Sequence, residues 1–196
     1  MVKSNRLINL ISEMKKSEIY AEYIKAESFI HREHYLNADG IHGIYHTKRV
    51  LILSLCLSHI FSHCTYTRNI LINASLYHDI GRTHDFADRS HGIKSYRKLR
   101  KILPRFLDYD NEPIKFLIEN HCLEIEYIDF NKYKLENPEK IKQMLHIFKD
   151  ADALDRVRLD TPFEQLILYN NESVELFEIA KYLYHLKENI IDFWRG

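Results

Sequence analysis

Residues 70–81 read Ile-Leu-Ile-Asn-Ala-Ser-Leu-Tyr-His-Asp-Ile-Gly, and this stretch decides the class of fold. Its apolar residues recur every three or four positions, which is the spacing of one buried face of an α-helix. We expect Thr67 to cap this helix and Gly81 to mark its end. His78 and Asp79 are unusual at the end of an apolar helix, because a buried charge needs a partner or a metal ion.

The same periodicity extends through most of the chain. The stretch that begins at Thr47 carries so wide an apolar stripe that it predicts a central, well-buried helix. Asn111 and Asn137 each stand shortly before a proline, which is typical of capped helix starts. No alternating stretch predicts a strand, so we expect an all-α fold, a compact multi-helix bundle of about seven or eight helices. Further helices are expected at residues 90–103, 112–123, 138–157 and 173–194.

The length of the chain, 196 residues, predicts a single domain over residues 1–196. Hydrophobic residues make up 45% of the chain, which excludes intrinsic disorder. The 28 Lys and Arg residues balance 28 Asp and Glu residues, so the chain has no overall positive field with which to bind nucleic acid. The 12 histidines favour metal or acid–base chemistry.

The cysteines and the hydropathy pattern bear on location. Cys56, Cys64 and Cys122 form no Cys-x-x-Cys pair, and their odd number favours a reducing, intracellular compartment. Residues 1–16 hold no apolar stretch long enough for a signal peptide, and no stretch is long enough to cross a membrane. The amphipathic residues 174–194 are expected to pack on the domain. We therefore expect a cytoplasmic protein with no membrane partner.

Histidine and aspartate form an ordered series around the pair His78-Asp79. His46 precedes His78 by 32 residues, and Asp152 follows Asp79 by 73 residues. Imidazole and carboxylate ligands without a thiolate suit a divalent ion such as Mn, Fe, Co, Ni or Zn. Taken singly, each of these side chains is more often a buried polar group at a helix end.

In this order and spacing, the residues resemble the HD superfamily of metal-dependent phosphohydrolases. The similarity lies in three motifs: a first His followed by Arg-Val, a His-Asp pair followed by Ile-Gly, and Ala-Asp followed by a small residue and Leu. The resemblance covers about residues 40–158 as a metal-binding core, and leaves residues 159–196 as a helical extension. It implies an all-helical fold that binds one metal ion through four residues: His46, His78, Asp79 and Asp152.

The resemblance also implies an activity. Metal-activated water would cleave a phosphomonoester or phosphodiester of a nucleotide or a related small phosphorylated molecule. Two alternatives stay open: a non-catalytic module of the same fold that binds a nucleotide or signalling ligand, and an adaptor that binds nucleic acid. A homo-oligomer is compatible with each. The adaptor hypothesis rests only on a stripe of basic residues, and such a stripe is more often a solvated helix face. The stripe is formed by Lys94, Arg97, Lys98, Lys101 and Arg105.

Two more histidines, His91 and His121, lie between the His-Asp pair and the last aspartate. Binuclear members of the superfamily place histidines in comparable intervals and use them for a second metal ion. In mononuclear members, residues there contact the substrate phosphate instead. Both residues also have an ordinary interpretation as histidines at helix ends. We expect one ion per chain, or two if His91 and His121 both bind metal.

One position departs from the superfamily pattern. Several members that hydrolyse nucleotides or alarmones carry an acidic residue four positions after the His of the pair, where it serves proton transfer, but this chain has Arg82. We expect Arg82 either to bind a phosphate with its planar guanidinium or to lie in a solvated loop. The predicted catalytic residues are Asp79, Arg82 and His84, with Asp85 and Asp88 as further candidates for proton transfer.

Four charged residues near the motifs complete the predicted site. Arg49 follows His46 by three positions, and Lys94 lies one turn after His91; both are predicted to bind substrate. Asp150 and Asp155 flank Asp152 and are predicted either to support the metal ligands or to cap a helix.

Overall fold

The computed structural model describes residues 5–102 and 111–195. These ranges contain nine α-helices and no β-strand, which confirms the all-α prediction. Helix α8 is a single turn of four residues. In chain order the helices are α1 (Asn5–Lys16), α2 (Glu18–Glu27), α3 (Ile44–Ile60), α4 (Thr65–Tyr77), α5 (His91–Ile102), α6 (Glu112–Asn120), α7 (Pro138–Leu154), α8 (Asn171–Val174) and α9 (Phe177–Leu186).

Helix α3 is the centre of the core. Every residue from Val50 to Ser58 is buried, so this stretch has no solvent-exposed side. A helix that is apolar all round is stable only where other elements enclose it. Around α3 these elements are α4, α7, α9 and a final 3-10 segment, Lys187–Trp194. The predicted central helix is confirmed.

The ends of three helices meet at one end of the bundle. His46, in the first turn of α3, lies beside His78, which directly follows α4, and beside Asp152 in the last turn of α7. The backbone groups of a helix end lack partners within their own helix, so polar side chains are easily accommodated there. The residues that carry the predicted chemistry gather at this end.

Two glycines let α5 close over this end of the bundle. A Cβ atom at Gly81 would lie 2.1 Å from the backbone nitrogen of Ser95 in α5, and one at Gly92 would lie 2.4 Å from the carbonyl oxygen of Ile118 in α6. The backbone nitrogen of Gly81 also donates to the Oγ atom of Ser95 over 2.9 Å. Both positions therefore need glycine because another backbone passes close by.

The boundaries of α4 differ from the prediction. The helix begins at Thr65, and Thr67 is buried in its first turn, with its Oγ1 atom 3.6 Å from the Sγ atom of Cys64, so Thr67 is not the cap. The helix ends at Tyr77, four residues before Gly81. No glycine in the described ranges has a positive φ, so Gly81 serves the approach of α5 and does not end the helix in a left-handed turn.

The helix predicted at 173–194 is broken. Helix α8 ends at Val174, α9 ends at Leu186, and Lys187 has a φ of 50°, which no α-helix contains. Residues Lys187–Trp194 follow as a 3-10 segment, which is kinked at Asn189 because the φ and ψ of this residue are not helical. Similarly, α7 ends at Leu154, and the rest of the predicted helix is a 3-10 segment, Asp155–Leu159.

The two predicted asparagine caps are confirmed. The side chain of Asn111 accepts a hydrogen bond from the backbone nitrogen of Ile114 over 3.3 Å, and Asn137 accepts one from Lys140 over 3.1 Å. Helix α6, which Asn111 starts, ends at Asn120, three residues before the predicted end. The predicted end of the helix at 90–103 and Arg105 of the basic stripe lie outside the described residues.

The C-terminal segment packs on the bundle. Leu183 of α9 is buried, as are Ile190 and Phe193 of the 3-10 segment that follows. Among the described residues, no helix has both the length and the apolar character that crossing a membrane requires.

Candidate metal centre

Six residues of the predicted site meet where the helix ends converge. Five of them are buried, and the sixth, Asp152, exposes 32% of its side chain, so the cluster opens to solvent on that side. They are supplied by the first turns of α3 and α5 (His46, His91), by the residues that follow α4 and α6 (His78, Asp79, His121) and by the last turn of α7 (Asp152).

Four of these side chains form a first donor set. The Nε2 atom of His46 lies 3.0 Å from Nε2 of His78, 3.4 Å from Oδ2 of Asp79 and 3.4 Å from Oδ1 of Asp152. The Nε2 atom of His78 lies 3.7 Å and 4.0 Å from the same two oxygens. Ligand atoms that each lie about 2.1 Å from one ion are separated by roughly 3.0–3.4 Å in tetrahedral or octahedral geometry. The set fits one divalent ion.

The hydrogen bonds of the rings show which way their lone pairs face. The Nδ1 atom of His78 lies 3.0 Å from the carbonyl oxygen of Ser75, which can only accept, so Nδ1 carries the proton. Burial lowers the pKa of His78 to about 3, so the ring is neutral and its Nε2 atom bears a lone pair. The Nδ1 atom of His46 donates to the carboxylate of Asp155 over 2.7 Å, and its Nε2 atom faces the Nε2 lone pair of His78 over 3.0 Å. Burial and Arg158 oppose protonation of the His46 ring, but hydrogen bonds with Asp155 and Asp79 outweigh them and raise its pKa. Two ring nitrogens this close need a proton or a metal ion between them.

His91 and His121 repeat this arrangement in a second donor set. Their Nδ1 atoms donate to the carbonyl oxygens of Asp88 and Ile118 over 2.5 Å and 2.8 Å. Their Nε2 atoms face each other across 2.7 Å. The Oδ1 atom of Asp79 lies 3.0 Å from Nε2 of His91 and 3.8 Å from Nε2 of His121. Three donor atoms again converge on one point.

Asp79 joins the two sets, because its Oδ2 atom faces His46 and His78 while its Oδ1 atom faces His91 and His121. Burial alone would raise the pKa of the Asp79 carboxyl, but hydrogen bonds and charges from the surrounding histidines outweigh it and hold the pKa well below its usual range. The carboxyl group is therefore an anion in the middle of a ring of neutral or basic groups. A carboxylate in this position offers one oxygen to each donor set.

A buried ionic network holds His46 in its orientation. Asp155 accepts from His46, from Nε of Arg49 over 2.5 Å and from Nη2 of Arg49 over 3.0 Å. Burial opposes ionisation of Asp155, but His46 and Arg49 outweigh it, so the pKa of this carboxyl is lowered. The sequence assigns Arg49 to substrate binding; in the structure it is buried, and two of its nitrogens contact Asp155. These contacts position Asp155, and the role of Arg49 in substrate binding stays a prediction.

His42 and Arg158 belong to the cluster although no motif contains them. The Nδ1 atom of His42 lies 3.0 Å from Oδ2 of Asp79, and Nη2 of Arg158 lies 3.4 Å from the same Nδ1 atom. The one signal for His42 in the sequence is its position four residues before His46, but it precedes the start of α3. Arg158 carries no such signal, because the 3-10 segment that brings it back to the site is not predicted.

Arg82 contacts the second donor set directly. Its Nε atom donates to Oδ1 of Asp79 over 2.8 Å, and its Nη2 atom lies 3.4 Å from Nε2 of His91. The Nη1 atom donates to the carbonyl oxygen of Phe86 over 3.3 Å. Arg82 is therefore part of the centre, and the interpretation as a solvated loop residue does not hold for its side chain, which is only 12% exposed.

The other loop residues lie further out. Lys94 pairs with Asp88 over 2.8 Å, and this ion pair and hydrogen bonds from Ser90 lower the pKa of Asp88. His84 is exposed, and its ring contacts that of Phe86. The structure describes no contact between His84 and the donor sets, so its predicted catalytic role stays a prediction. Lys94 is 40% exposed and stays a candidate for substrate contact.

Asp150 caps the C-terminal segment and does not support a ligand. Its carboxylate accepts from the backbone nitrogens of Tyr169 and Asn170 over 2.7 Å and 3.0 Å, and from the Oγ atom of Ser173 over 2.6 Å. The carboxylate therefore binds the two residues that precede α8 and the hydroxyl of Ser173 within it. Of the two alternatives that the sequence offers for Asp150, the geometry matches capping.

Cys122 and Lys149 lie at the edge of the second donor set. The Sγ atom of Cys122 is within 4.8 Å of donor atoms of His91 and His121, but the thiol donates to the carbonyl oxygen of Arg89, and burial raises its pKa. Such a thiol stays protonated and is a poor ligand. Lys149 donates to the carbonyl oxygen of His121 over 2.7 Å and so holds the end of α6 in place.

The fold and the centre together define a class: an all-α protein with buried histidine and aspartate donors between helix ends. The family model of the HD domain matches residues 43–157, which is more than half of the chain, and the chain belongs to this family. No curated protein and no solved structure matches the chain significantly. HD domains typically bind divalent metals, and the buried donor sets fit such an ion.

Proposed function

We propose that this protein is a metal-dependent phosphohydrolase that cleaves a phosphomonoester or phosphodiester. The observation that carries the proposal is the position of Asp79 between two pairs of buried histidines whose Nε2 atoms face each other. Five imidazole and carboxylate groups buried this close together are the donor types that bind divalent ions, and a metal ion satisfies them without placing a proton between the rings. The family consists in general of metal-dependent hydrolases, which favours turnover over binding alone.

In this proposal His46, His78, Asp79 and Asp152 hold the first ion, and Asp79, His91 and His121 are the donors available to a second. An ion bound there supplies a Lewis acid for a phosphoryl oxygen and lowers the pKa of water. Asp152 is the most exposed ligand, so substrate approaches from its side of the centre. Arg82 supplies positive charge beside Asp79, where it can balance the charge that develops on a phosphoryl group.

We infer that the substrate is a nucleotide. Phe86 is 80% exposed, and its backbone carbonyl oxygen is held by Arg82, which itself contacts Asp79. The side chain of Arg82 thus links the residue that carries this exposed ring to the metal centre. An exposed aromatic ring near the centre offers a surface on which the flat base of a nucleotide can stack. The ring of His84 lies beside it, with ring centroids 6.0 Å apart.

The test combines metal content with turnover. Protein freed of metal by chelation and reloaded with Mn²⁺ is given p-nitrophenyl phosphate, bis-p-nitrophenyl phosphate and a panel of nucleotides. We expect hydrolysis that requires the added ion and that His78→Ala abolishes. His146→Ala is the matched control, because His146 is a partly buried histidine that stacks on Tyr169, away from the donor sets.

Two results would contradict the proposal. Hydrolysis that is unchanged in His78→Ala would place the activity elsewhere or in a contaminant. A parent protein that binds the ion but hydrolyses none of these esters would instead be the non-catalytic binding module.

A further inference from the structure

The second donor set already has a cation against it. The Nε atom of Arg82 donates to Oδ1 of Asp79 over 2.8 Å, and this is the oxygen that lies 3.0 Å from Nε2 of His91. The Nη2 atom of Arg82 lies 3.4 Å from that same Nε2 atom. Two of the three donor atoms that a second ion needs are thus in contact with one guanidinium group.

A guanidinium satisfies these donors in the way that an ion would. Its N–H groups donate to the carboxylate oxygen and to the ring lone pair, and arginine keeps its positive charge at every pH at which proteins are folded. Each lone pair that accepts from Arg82 is unavailable to a metal. A second ion would also come to lie beside a fixed positive charge, which repels it.

Arg82 is held in this place by more than Asp79. Its Nη1 atom donates to the carbonyl oxygen of Phe86 over 3.3 Å, and its side chain is only 12% exposed. On the other side of Asp79, the described neighbours of the Oδ2 atom are the histidines His42, His46 and His78. Arg158 reaches His42 over 3.4 Å and Asp155 over 3.3 Å, and no contact of it with an atom of the first donor set is described. A direct guanidinium contact therefore distinguishes the Oδ1 side of Asp79 from the Oδ2 side.

Resting on the proposed function, we propose that Arg82 takes the place of a second metal ion in this protein. The chain then binds one divalent ion tightly on the Oδ2 side of Asp79. A second ion binds on the Oδ1 side only when the guanidinium is displaced, so Arg82 determines that the centre works as a mononuclear one.

The experiment is a calorimetric titration of metal-free protein with Mn²⁺, with native mass spectrometry to count bound ions. We expect the parent to bind one ion tightly and a second at least about tenfold more weakly. Arg82→Met removes the charge and retains the length of the stem, and we expect it to bind two ions tightly. Arg82→Lys retains a positive charge and should resemble the parent.

Two variants make the result specific. Lys94→Met removes a nearby positive charge that pairs with Asp88 and has no described contact with Asp79, so its stoichiometry should equal that of the parent. His91→Ala added to Arg82→Met should restore a single ion, because it removes a donor of the second set. Circular dichroism and thermal melting confirm that each variant is folded.

The outcomes separate this inference from the proposed function. A parent that binds two ions with equal affinity, or an Arg82→Met variant that still binds one, would overturn the role of Arg82 and leave the metal centre standing. A parent that binds no ion would overturn both.

Discussion

His46 and Asp155 are 109 residues apart in the chain, and the Nδ1 atom of His46 donates to the Oδ2 atom of Asp155 over 2.7 Å in the buried core. The bond fixes both the tautomer of the ring and the direction of its Nε2 lone pair. Arg49 holds the same carboxylate from the other side with two hydrogen bonds. The fold therefore orients the first donor set without help from an ion.

Replacing Asp155 by Asn should weaken the binding of the first ion without removing a ligand. Loss of the carboxylate frees the ring of His46 to rotate and makes its Nε2 atom less basic, and such outer contacts are worth about 10–100-fold in metal affinity. Competition with a chelating dye measures the change. Asp150→Asn is the control, because the carboxylate of Asp150 binds Tyr169 and Ser173 at the start of the C-terminal segment and should affect stability alone. Equal affinities in the two variants would contradict the role given to Asp155.

Arg82→Met should lower kcat at limiting metal concentration, and part of this kcat should return when metal is in excess. Removing one preorganised cation from a phosphoryl-transfer site costs about 10²–10³-fold in rate. Because the second donor set then becomes available, added Mn²⁺ should restore part of the rate over the concentration range in which the second ion binds. Lys94→Met should show no such recovery. A loss in Arg82→Met that no concentration of Mn²⁺ reverses would argue that a metal cannot substitute for the guanidinium.

The sequence predicts much of the centre because its motifs are local. His78 and Asp79 are adjacent, and the ordered series that they form with His46 and Asp152 is enough to predict a single centre. Helical periodicity predicts the core helix α3, because a helix with so wide an apolar stripe is stable only where other elements enclose it. The distances between the donor sets depend on how helices pack, and the order of residues along the chain does not carry this information.

The contacts that the sequence does not predict have identifiable physical causes. The sequence assigns Arg49 to substrate because it follows His46, but the spacing of three residues in His46–Arg49 and in Asp152–Asp155 lets the two pairs face each other across α3 and α7. The break at Lys187 carries no glycine or proline, and the apolar periodicity continues through it. His42 lies in a loop whose path toward Asp79 is set by tertiary contacts.

Gly92→Ala should destabilise the protein and separate His91 from His121. The new Cβ atom would meet the carbonyl oxygen of Ile118 at 2.4 Å, and because backbone cannot yield as a side chain can, α5 must move away from α6. We expect a loss of roughly 1–3 kcal/mol in the free energy of unfolding, as for other overpacked sites. Chemical denaturation measures it.

Gly40→Ala is the matched control for Gly92→Ala. The three atoms nearest to a Cβ atom at Gly40 belong to the side chain of Asn37, the closest at 2.9 Å. The amide of Asn37 can rotate at the cost of the hydrogen bond that it accepts from the backbone nitrogen of Asp39, whereas a carbonyl oxygen of α6 cannot. We expect a smaller change there. Equal losses at the two glycines would show that the approach of α5 to α6 is not the reason for glycine at position 92.

Phe86→Ala should raise KM for nucleotides and leave KM for a phosphoester without a base unchanged. Stacking of a base on an aromatic side chain is worth about 1–3 kcal/mol, or roughly 5–150-fold in KM. Steady-state kinetics with a nucleoside monophosphate and with glycerol 2-phosphate separate the two effects, and Phe86→Tyr should retain the parent value. An equal rise for both substrates would show that Phe86 acts on the fold of the loop and not on a base.

The most direct measurement of the metal centre is anomalous X-ray scattering from crystals of the protein loaded with Mn²⁺. We predict a strong peak that lies about 2.0–2.3 Å from Nε2 of His46, Nε2 of His78, Oδ2 of Asp79 and Oδ1 of Asp152. We also predict a weaker peak, or none, between His91 and His121 while Arg82 is present. An empty first donor set in metal-loaded crystals, or ions bound only at other residues, would contradict the claim that these buried histidines and aspartates form a metal centre.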